Sequence, residues 1–239
     1  NAEGISPVLP VLQEIENVNE KAQWSEVLGK AMDFGLWAMY VDADAMNSSM
    51  NILNEYQAGF ALSQKDYYVD NDEHTKHIRA EYVKHVEKMF TLFGIDNAAE
   101  KAQTVLRLET RLANAALSNV ELRDPVANYN KMSVEELQKL VPEVNWEVYF
   151  AGMNIAPDSL SVGQVRHLQE AGKMLVEESL EDMKTLFTWQ VIDGSSDFLT
   201  EEIFMQNFEF YGRILSGRQE PTPLWKRAVA MVNGTLGEA

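Results

Sequence analysis

Apolar residues recur along most of this chain at intervals of three and four, the spacing that places them on one face of an α-helix. The longest example covers residues 73–93 and is followed by Gly94, a residue type that commonly ends helices. The same pattern predicts helices over residues 6–15, 19–33, 97–117, 144–150, 164–175, 177–192, 200–215 and 223–236. We therefore expect a mainly α-helical protein in which residues 73–117 form an αα-hairpin.

One early stretch has a different character. Residues 36–41 are aromatic and β-branched, which favours a strand. A polar run separates them from residues 50–56, so the two segments are predicted to pair as a β-hairpin with a long loop. We expect strand structure only within residues 36–56, as one small hairpin near the amino terminus.

Two polar motifs mark the starts of predicted helices. Asn97 is followed three residues later by Glu100, and Ser133 is followed by Glu136 at the same spacing. At this spacing a side chain can accept hydrogen bonds from the first backbone N–H groups of a helix. We expect Asn97 and Ser133 to act as N-caps.

Residues 121–131 lie between two of the predicted helices and are expected to form an ordered, structural loop. Pro125 disfavours helical dihedral angles at Asp124, so the chain has to turn there. The guanidinium of Arg123 offers five donors in a fixed fork, and we expect it to bind loop carbonyls or a carboxylate in a buried setting. On this interpretation Arg123→Ala would cost on the order of 1–3 kcal/mol of stability.

Composition and charge narrow the choice of partners. The 239 residues suffice for one large domain or two small ones, and 46% apolar with 24% charged residues is typical of a globular protein. Thirty-seven acidic residues against twenty basic ones give a net charge of -17. Because such a charge repels phosphate groups, neither nucleic acid nor an anionic membrane surface is expected as a partner.

The chain contains no cysteine, which excludes disulfides, thiolate zinc sites and cysteine nucleophiles. No apolar run approaches the ~20 residues needed to span a bilayer, and the first residues lack the pattern of a signal peptide. We interpret Asn1 and Ala2 as a remnant of tag cleavage and the end at Ala239 as a cut inside a helix. The natural chain is therefore expected to continue at that end.

Histidine is the residue type that could indicate a metal site here. The stripe of His74, His77, Glu81 and His85, with offsets of three, seven and eleven, lies along one side of a predicted helix, so two or three of these side chains could meet a metal ion. No second helix obviously supplies further ligands. A hydrated helix face is the preferred interpretation.

Two further patterns are interpreted as structural. Glu178 and Asp182 match an ExxxD motif, but without a histidine pair they are expected to form a solvated helix face. The tryptophans are scattered rather than interleaved with basic residues, so we expect them to anchor the core or helix interfaces. They are Trp24, Trp37, Trp146, Trp189 and Trp225.

Several motifs resemble the amino-terminal half of the neprilysin and endothelin-converting-enzyme family of zinc metallopeptidases, and most closely its bacterial oligopeptidase O-like members. They are the L-x-x-E-x-x-L-A pattern at 106–113, ELRDP at 121–125, YNKMS at 129–133, the segments 40–48 and 57–68, Trp189, and the segments 208–217 and 225–239. The sequence departs from the usual family wording at Met46, Ser63, Lys65 and Ala228.

This resemblance implies a fold and a domain arrangement. The chain would be the helical capping domain of a neprilysin-like peptidase, with one small β-hairpin near its amino terminus. Residues 1–60 would form amino-terminal helices and a hairpin adjoining the catalytic domain, and residues 61–239 would form the helical cap. The partner of this segment would be the carboxy-terminal catalytic domain of the same protein.

The resemblance also implies an activity for the intact protein. Such enzymes hydrolyse oligopeptides with a zinc ion held by an HExxH helix, in which the glutamate activates water. This chain has no HExxH, so the resemblance assigns it no catalytic, cofactor-binding or metal-binding residue. The segment alone is expected to be inactive and to bind no zinc, while the parent enzyme would hold zinc in an extracytoplasmic compartment.

Two other interpretations remain open. The chain could be a non-catalytic helical binding or scaffold module related to these peptidases. It could also be a small metal-binding helical protein built on His74 and His77. An HExxH motif in the reading frame downstream would decide the first question, and zinc titration of the chain would address the second.

Overall fold

Helices make up most of the computed structural model, which describes residues 3–31 and 33–237. They are α1 (Leu9–Glu16), α2 (Trp24–Lys30), α3 (Asp66–Val69), α4 (Glu73–Leu92), α5 (Ala98–Ala115), α6 (Val134–Leu140), α7 (Trp146–Gly152), α8 (Val165–Glu177), α9 (Leu180–Ser195), α10 (Glu201–Asn207) and α11 (Leu224–Leu236). Short 3-10 turns cover Ser6–Val8, Lys21–Gln23, Glu121–Arg123 and Ser196–Phe198, and α10 continues as a π-helix over Phe208–Leu215. The mainly α-helical fold class is confirmed.

The long helices α4 and α5 pack against each other as the predicted αα-hairpin. The side chain of Asp72 caps α4 by accepting hydrogen bonds from the backbone N–H groups of His74 and Thr75. Gly94 follows the helix with a φ of 69°, a left-handed conformation that glycine adopts without steric cost. The predicted end of this helix is therefore confirmed.

One predicted cap is wrong and the other is confirmed. Asn97 has a left-handed φ of 57° and its side chain makes no capping hydrogen bond. An N-cap side chain reaches the helix N–H groups from an extended backbone, which Asn97 does not have. Ser133 does have that backbone, and it exchanges hydrogen bonds with Glu136 in a complete capping box at the start of α6.

The helix predicted over residues 19–33 is shorter in the structure. A 3-10 turn precedes α2, which ends at Lys30, and Ala31 is extended with a ψ of 135°. Residue 32 lies outside the described residues. The early end matters because the extended backbone after α2 leads into the first strand.

The sheet is larger than the sequence indicates. Strands β1 (Trp37–Asp44) and β2 (Asn47–Gln57) form the hairpin, and β3 (Asn130–Ser133) and β4 (Ser159–Val162) complete a sheet of order β1-β2-β4-β3. The β2–β4 pair is parallel and the other two pairs are antiparallel. The expectation that strands are confined to residues 36–56 is therefore wrong, because β3 and β4 are too short to show a period-2 pattern.

The hairpin loop also differs from the prediction. Asp44 pairs directly with Asn47, so the turn has only two residues, where a long loop was expected. The strands extend through the polar run, where the residues other than Asp44 are exposed. Polar side chains are tolerated there since they remain in contact with water.

The core is built mainly from α4, α5, α8 and α9, with the hairpin and α7 packed against them. Four of the five tryptophans lie in it, as predicted: Trp24, Trp37, Trp146 and Trp189. Trp225 does not, because its ring is 65% exposed on α11, where the ammonium of Lys226 lies 5.4 Å from the ring centroid. The expectation of a core or interface position for Trp225 is not met within the part of the chain that the structure describes.

Candidate functional site

The structure does not bring the histidine stripe together. His74 and His77 are exposed on α4, whereas His85 is buried and stacks on Phe210 with ring centroids 5.0 Å apart. Burial lowers the pKa of His85 to about 3, so this ring is neutral. Over the described ranges, 3–31 and 33–237, no group of three or more histidine, aspartate or glutamate side chains could hold a metal ion.

The ExxxD residues belong to an ion-pair network, so their interpretation as a solvated face is wrong. Arg107 binds Glu178 at 2.7 Å and Asp182 at 2.9 Å. Arg111 binds Glu178 at 2.6 Å and also contacts Glu170 and Glu177, which joins α5 to the α8–α9 junction. Burial acts to raise the pKa of Glu178, but the hydrogen bonds from both arginines outweigh it and hold that pKa below its usual value.

The loop at residues 121–131 is ordered by different side chains from the one predicted. Asn128 donates hydrogen bonds to the backbone oxygens of Glu121 and Asp124, at 2.9 and 2.8 Å. The carboxylate of Asp124 accepts from two backbone N–H groups that follow it. Arg123 is exposed, and among the described residues its guanidinium donates no hydrogen bond, so the expected buried fork is wrong.

A polar cluster that we call the Asp44 latch ties this loop to the hairpin. The buried carboxylate of Asp44 accepts from the Tyr129 hydroxyl at 2.7 Å, the Lys131 ammonium at 2.9 Å and the Met46 backbone N–H at 2.9 Å. These hydrogen bonds, led by that from Lys131, lower the pKa of Asp44 to about 2. The latch was not identified from the sequence, although its residues lie in two of the family-like motifs.

A second polar cluster, the Glu109 centre, lies inside the core. Glu109 is fully buried on α5 and accepts from the hydroxyls of Tyr68 and Tyr82, at 2.9 and 2.8 Å, and from the Ala61 N–H at 3.2 Å. The Trp189 indole N–H donates in turn to Tyr82 at 2.7 Å. Burial raises the pKa of Glu109 to about 8, although the two tyrosine hydrogen bonds act to lower it.

Beside this centre the surface opens into a cleft of about 540 Å³. Its walls come from the end of α2, the chain leading into β1, residues 58–61, α7 and the end of α9. Gln190 fixes the two loop segments by accepting from the Gly35 N–H at 2.9 Å and donating to the Gly59 oxygen at 3.1 Å. Gly59 has a φ of 94° and a Cβ there would lie 2.9 Å from Leu36 Cα, so glycine is required.

The cleft is lined mainly by apolar and aromatic residues, and its two charged lining residues are acidic. Asp33 and Asp193 line it, and no lysine or arginine does so among the described residues. Asp193 Oδ2 accepts from the Tyr211 hydroxyl at 3.0 Å, while the buried Oδ1 has no hydrogen-bond partner there. Burial raises the pKa of Asp193 to about 7. This site could not be recognised from local sequence patterns, because its walls come from five separate segments.

Helix α11 lies at the surface of the protein. None of its side chains that the structure describes is buried. Its large exposed apolar residues are Leu224, Trp225, Val229, Met231, Val232 and Leu236. Exposed apolar side chains in such number on one helix are typical of an interface. Among the described residues, α11 included, no helix is long and apolar enough to cross a membrane.

With this mainly helical fold, the chain belongs to peptidase family M13. The model of the amino-terminal part of that family matches residues 1–239. The family and the fold inferred from the sequence motifs are thus confirmed.

Known relatives and solved structures agree with this placement. The chain is 25% identical over 210 residues to endothelin-converting enzyme-like 1 of Mus musculus and 24% identical over 211 residues to endothelin-converting enzyme 1 of Bos taurus. It superposes on the zinc metalloprotease Zmp1 of Mycobacterium tuberculosis with a TM-score of 0.93 at 28% identity. PepO of Lactobacillus rhamnosis shares the fold, with a TM-score of 0.77 at 19% identity.

The matches also show what share of such proteins this chain represents. They cover 85% of the chain but only 27% and 28% of the two curated relatives. Against the two solved structures they cover 99% and 98% of the chain and 37% and 38% of the other protein. The chain therefore spans between a quarter and two-fifths of the length of the proteins it resembles.

Proposed function

We propose that this chain is the amino-terminal helical portion of a zinc metalloendopeptidase that hydrolyses oligopeptides. The observation that carries the proposal is the superposition of 99% of the chain on 37% of the zinc metalloprotease Zmp1. Its own described residues supply no grouping suited to zinc, so we assign the ion and the chemistry to the remainder of the parent protein. An extracytoplasmic location is part of this proposal.

Within the parent, the chain would act as a cap that limits the size of substrates. We propose that residues 1–60 adjoin the catalytic domain and that residues 61–239 form the cap. The exposed apolar face of α11 supports a large intramolecular interface, because burying such side chains stabilises a protein by about 25 cal/mol for each Å² removed from water. The Asp44 latch would hold the hairpin against the loop at residues 121–131.

The proposal is tested on the parent protein and on the chain alone, with quenched peptides of increasing length and an unfolded and folded form of one small protein. The parent should cleave the peptides, be inhibited by a zinc chelator, and leave the folded protein intact. The chain alone should cleave none of them and retain no zinc after dialysis.

Three results would contradict the proposal in different ways. Chelator-sensitive cleavage that copurifies with the chain alone would show that it holds its own active site. Equal cleavage of folded and unfolded protein by the parent would remove the role as a cap while leaving the peptidase assignment intact. A parent reading frame without HExxH would instead favour the non-catalytic binding module.

A further inference from the structure

Two acidic side chains, Glu109 of α5 and Asp193 of α9, lie where α4, α5, α9 and the π-helix pack together. Glu109 is fully buried, and Asp193 accepts a hydrogen bond from the Tyr211 hydroxyl at 3.0 Å. Among the described residues, neither carboxyl forms an ion pair. Burial without a cationic partner disfavours the charged form of a carboxyl, so this part of the core favours two protonated acids.

Asp193 is the member of the pair that ionises first. Part of this residue faces the cleft, but its Oδ1 atom is buried and lacks a hydrogen-bond partner within residues 3–31 and 33–237. Burial raises the pKa of Asp193 to about 7 and that of Glu109 to about 8, and the charge of Asp193 acts to raise the latter. Loss of the proton from Asp193 therefore leaves a charged oxygen that the closed structure does not solvate.

Among the side chains that the structure describes around Asp193, none supplies a free positive charge. Those that influence Asp193 or its partner Tyr211 include Tyr68, Tyr82, His85, Glu109 and Asp197, and Asp33 also lines the cleft. His85 is the potential cation in this set, but burial lowers its pKa to about 3. On the adjoining elements, Arg213 pairs with Glu209 at 2.7 Å, and Lys184 binds the Glu16 backbone oxygen at 2.9 Å. A charge on Asp193 is therefore relieved by water rather than by a side chain.

The π-helix is held to this centre by two aromatic residues. The Tyr211 hydroxyl binds Asp193, and Phe210 stacks on the His85 ring with centroids 5.0 Å apart. π-Helical turns are rare and occur frequently at functional sites. Gly217 follows the helix with a φ of 68°, and the chain then runs without regular structure to α11. An element at the margin of the packed body, joined to such a turn, has the features of a segment that opens locally.

We propose that Asp193 and Tyr211 form a pH-sensitive clasp, which holds the π-helix on α9 while Asp193 is protonated and releases it when Asp193 ionises. Release lets water from the cleft reach Oδ1, because Asp193 already lines that cleft. Residues 216–223 join the π-helix to α11, so release also loosens the way in which α11 is held. The inference goes beyond the proposed function and does not rest on it, since it concerns contacts within the described chain.

The sign of the pH response follows from proton binding. In the closed form Asp193 keeps its proton up to a pKa of about 7, whereas an aspartate in water releases it above about 3.8. The open form is therefore favoured as the pH rises between these two values, by at most about tenfold for each pH unit. Above about 7 both forms are ionised, and the opening equilibrium should become constant.

Hydrogen–deuterium exchange followed by mass spectrometry tests the clasp in the 239-residue chain from pH 5 to 8.5. Peptides that cover Phe208–Leu215 report on the π-helix, and peptides that cover α8 (Val165–Glu177) are the internal reference at each pH. The ratio of the two exchange rates cancels the intrinsic effect of pH on amide exchange. We expect this ratio to increase by at least about tenfold from pH 5 to 7 and to level off above about 7.

Variants assign the response to the clasp. Asp193→Asn places an uncharged amide where the protonated acid stands and keeps an oxygen for Tyr211, so the ratio should stay low and constant with pH. Asp96→Asn removes one charge at an exposed position and should behave like the unmodified chain. Tyr211→Phe removes a hydrogen bond that acts to lower the pKa of Asp193, so the levelling-off should move to higher pH. A purely structural role of Tyr211 would instead change the ratio equally at every pH.

Three results would overturn the clasp. A ratio that stays constant from pH 5 to 8.5 in the unmodified chain would show that the π-helix is not released separately from the rest of the core. The same pH response in Asp193→Asn would assign it to another group. An unmoved levelling-off in Tyr211→Phe would exclude the bond between the two side chains as its cause. If Asp193→Asn fails to fold, which loss of protection in α8 would reveal, the unmodified chain and Tyr211→Phe decide the question.

Discussion

The Glu109 centre and the Asp44 latch each provide hydrogen-bond donors to a carboxylate, one inside the core and the other between the hairpin and a loop. In each, a carboxylate accepts hydrogen bonds from a tyrosine hydroxyl and a backbone N–H. Asp44 also has an ammonium partner, Lys131, and its pKa falls to about 2. At Glu109 burial is the largest influence, and its pKa rises to about 8. The comparison teaches that the balance between desolvation and hydrogen bonding decides the sign: the hydrogen bonds outweigh desolvation at Asp44, and desolvation outweighs them at Glu109.

The largest expected effect comes from removing the buried acceptor. Glu109→Leu leaves the hydroxyls of Tyr68 and Tyr82 as buried donors without an acceptor, and each such donor costs about 1–3 kcal/mol. We expect a loss of unfolding free energy on the order of 2–6 kcal/mol, measured by urea denaturation. Glu109→Gln keeps one acceptor oxygen and is the matched control. A loss no larger for Leu than for Gln would show that the hydroxyls find other acceptors.

The two carboxylates also predict opposite responses to pH. The pKa of Glu109 is raised on folding, so its contribution to stability is greatest below about 4.5 and declines as the pH rises towards about 8. The pKa of Asp44 is lowered, so its contribution is present above about 3.8 and is lost as the pH falls towards about 2. The response of Glu109 is checked by urea denaturation of Glu109→Gln and of the unmodified chain at several pH values from 5 to 8.5. The difference in stability between them should shift steadily in favour of Gln, and a constant difference would contradict the assignment.

A smaller effect is expected at the latch. Asp44→Asn removes the charge that pairs with Lys131 but keeps an oxygen for Tyr129, so the melting temperature should fall less than in Glu109→Leu. The decrease should shrink as the pH is lowered from 5 towards 3, because Asp44 takes up a proton in the unfolded chain near 3.8 while it stays ionised in the folded protein, whose Asp44 has a pKa of about 2. Asp42→Asn on the same strand serves as the control. Equal effects at both positions would mean that the latch contributes nothing specific.

The smallest effect is expected where the sequence predicted a substantial one. Arg123 is exposed, so Arg123→Ala should change the unfolding free energy by less than about 0.5 kcal/mol in this chain. Asn128→Ala removes two hydrogen bonds to loop carbonyls and should cost about 1–2 kcal/mol. Thermal denaturation of the two variants side by side measures the difference. The reverse order would restore the predicted role of Arg123.

The elements that sequence reasoning identified are those with local signals. The apolar face of α4, its glycine end and the capping box at Ser133 all depend on residues within a few positions of one another. Strands β3 and β4 carry no such signal, because each has four residues and β4 pairs with a strand more than a hundred residues earlier in the chain. Their existence follows from tertiary pairing alone.

The sites were less accessible to sequence reasoning than the helices. Glu109 lies in a motif that identifies the family, but its burial against Tyr68 and Tyr82 depends on the packing of three helices. Arg123 has the donors that a buried anchor needs, but it is exposed in the structure. Whether a loop residue is buried depends on how the rest of the chain packs around the loop, and the loop sequence does not show this. Asp193 is one aspartate among many until the fold places it beside the hairpin.

The parallel pairing of β2 with β4 has a consequence for synthesis of the chain. Leu53 and Leu160 are register partners, yet everything from α3 to α7 is made between them. At ribosomal rates of about 5–20 residues per second, the completed hairpin waits roughly 5–20 seconds before its parallel neighbour emerges. During that interval the inner edge of β2 is uncovered as well as the outer edge of β1. We expect nascent chains halted before residue 159 to bind chaperones through this hairpin and those halted well beyond residue 162 to be released.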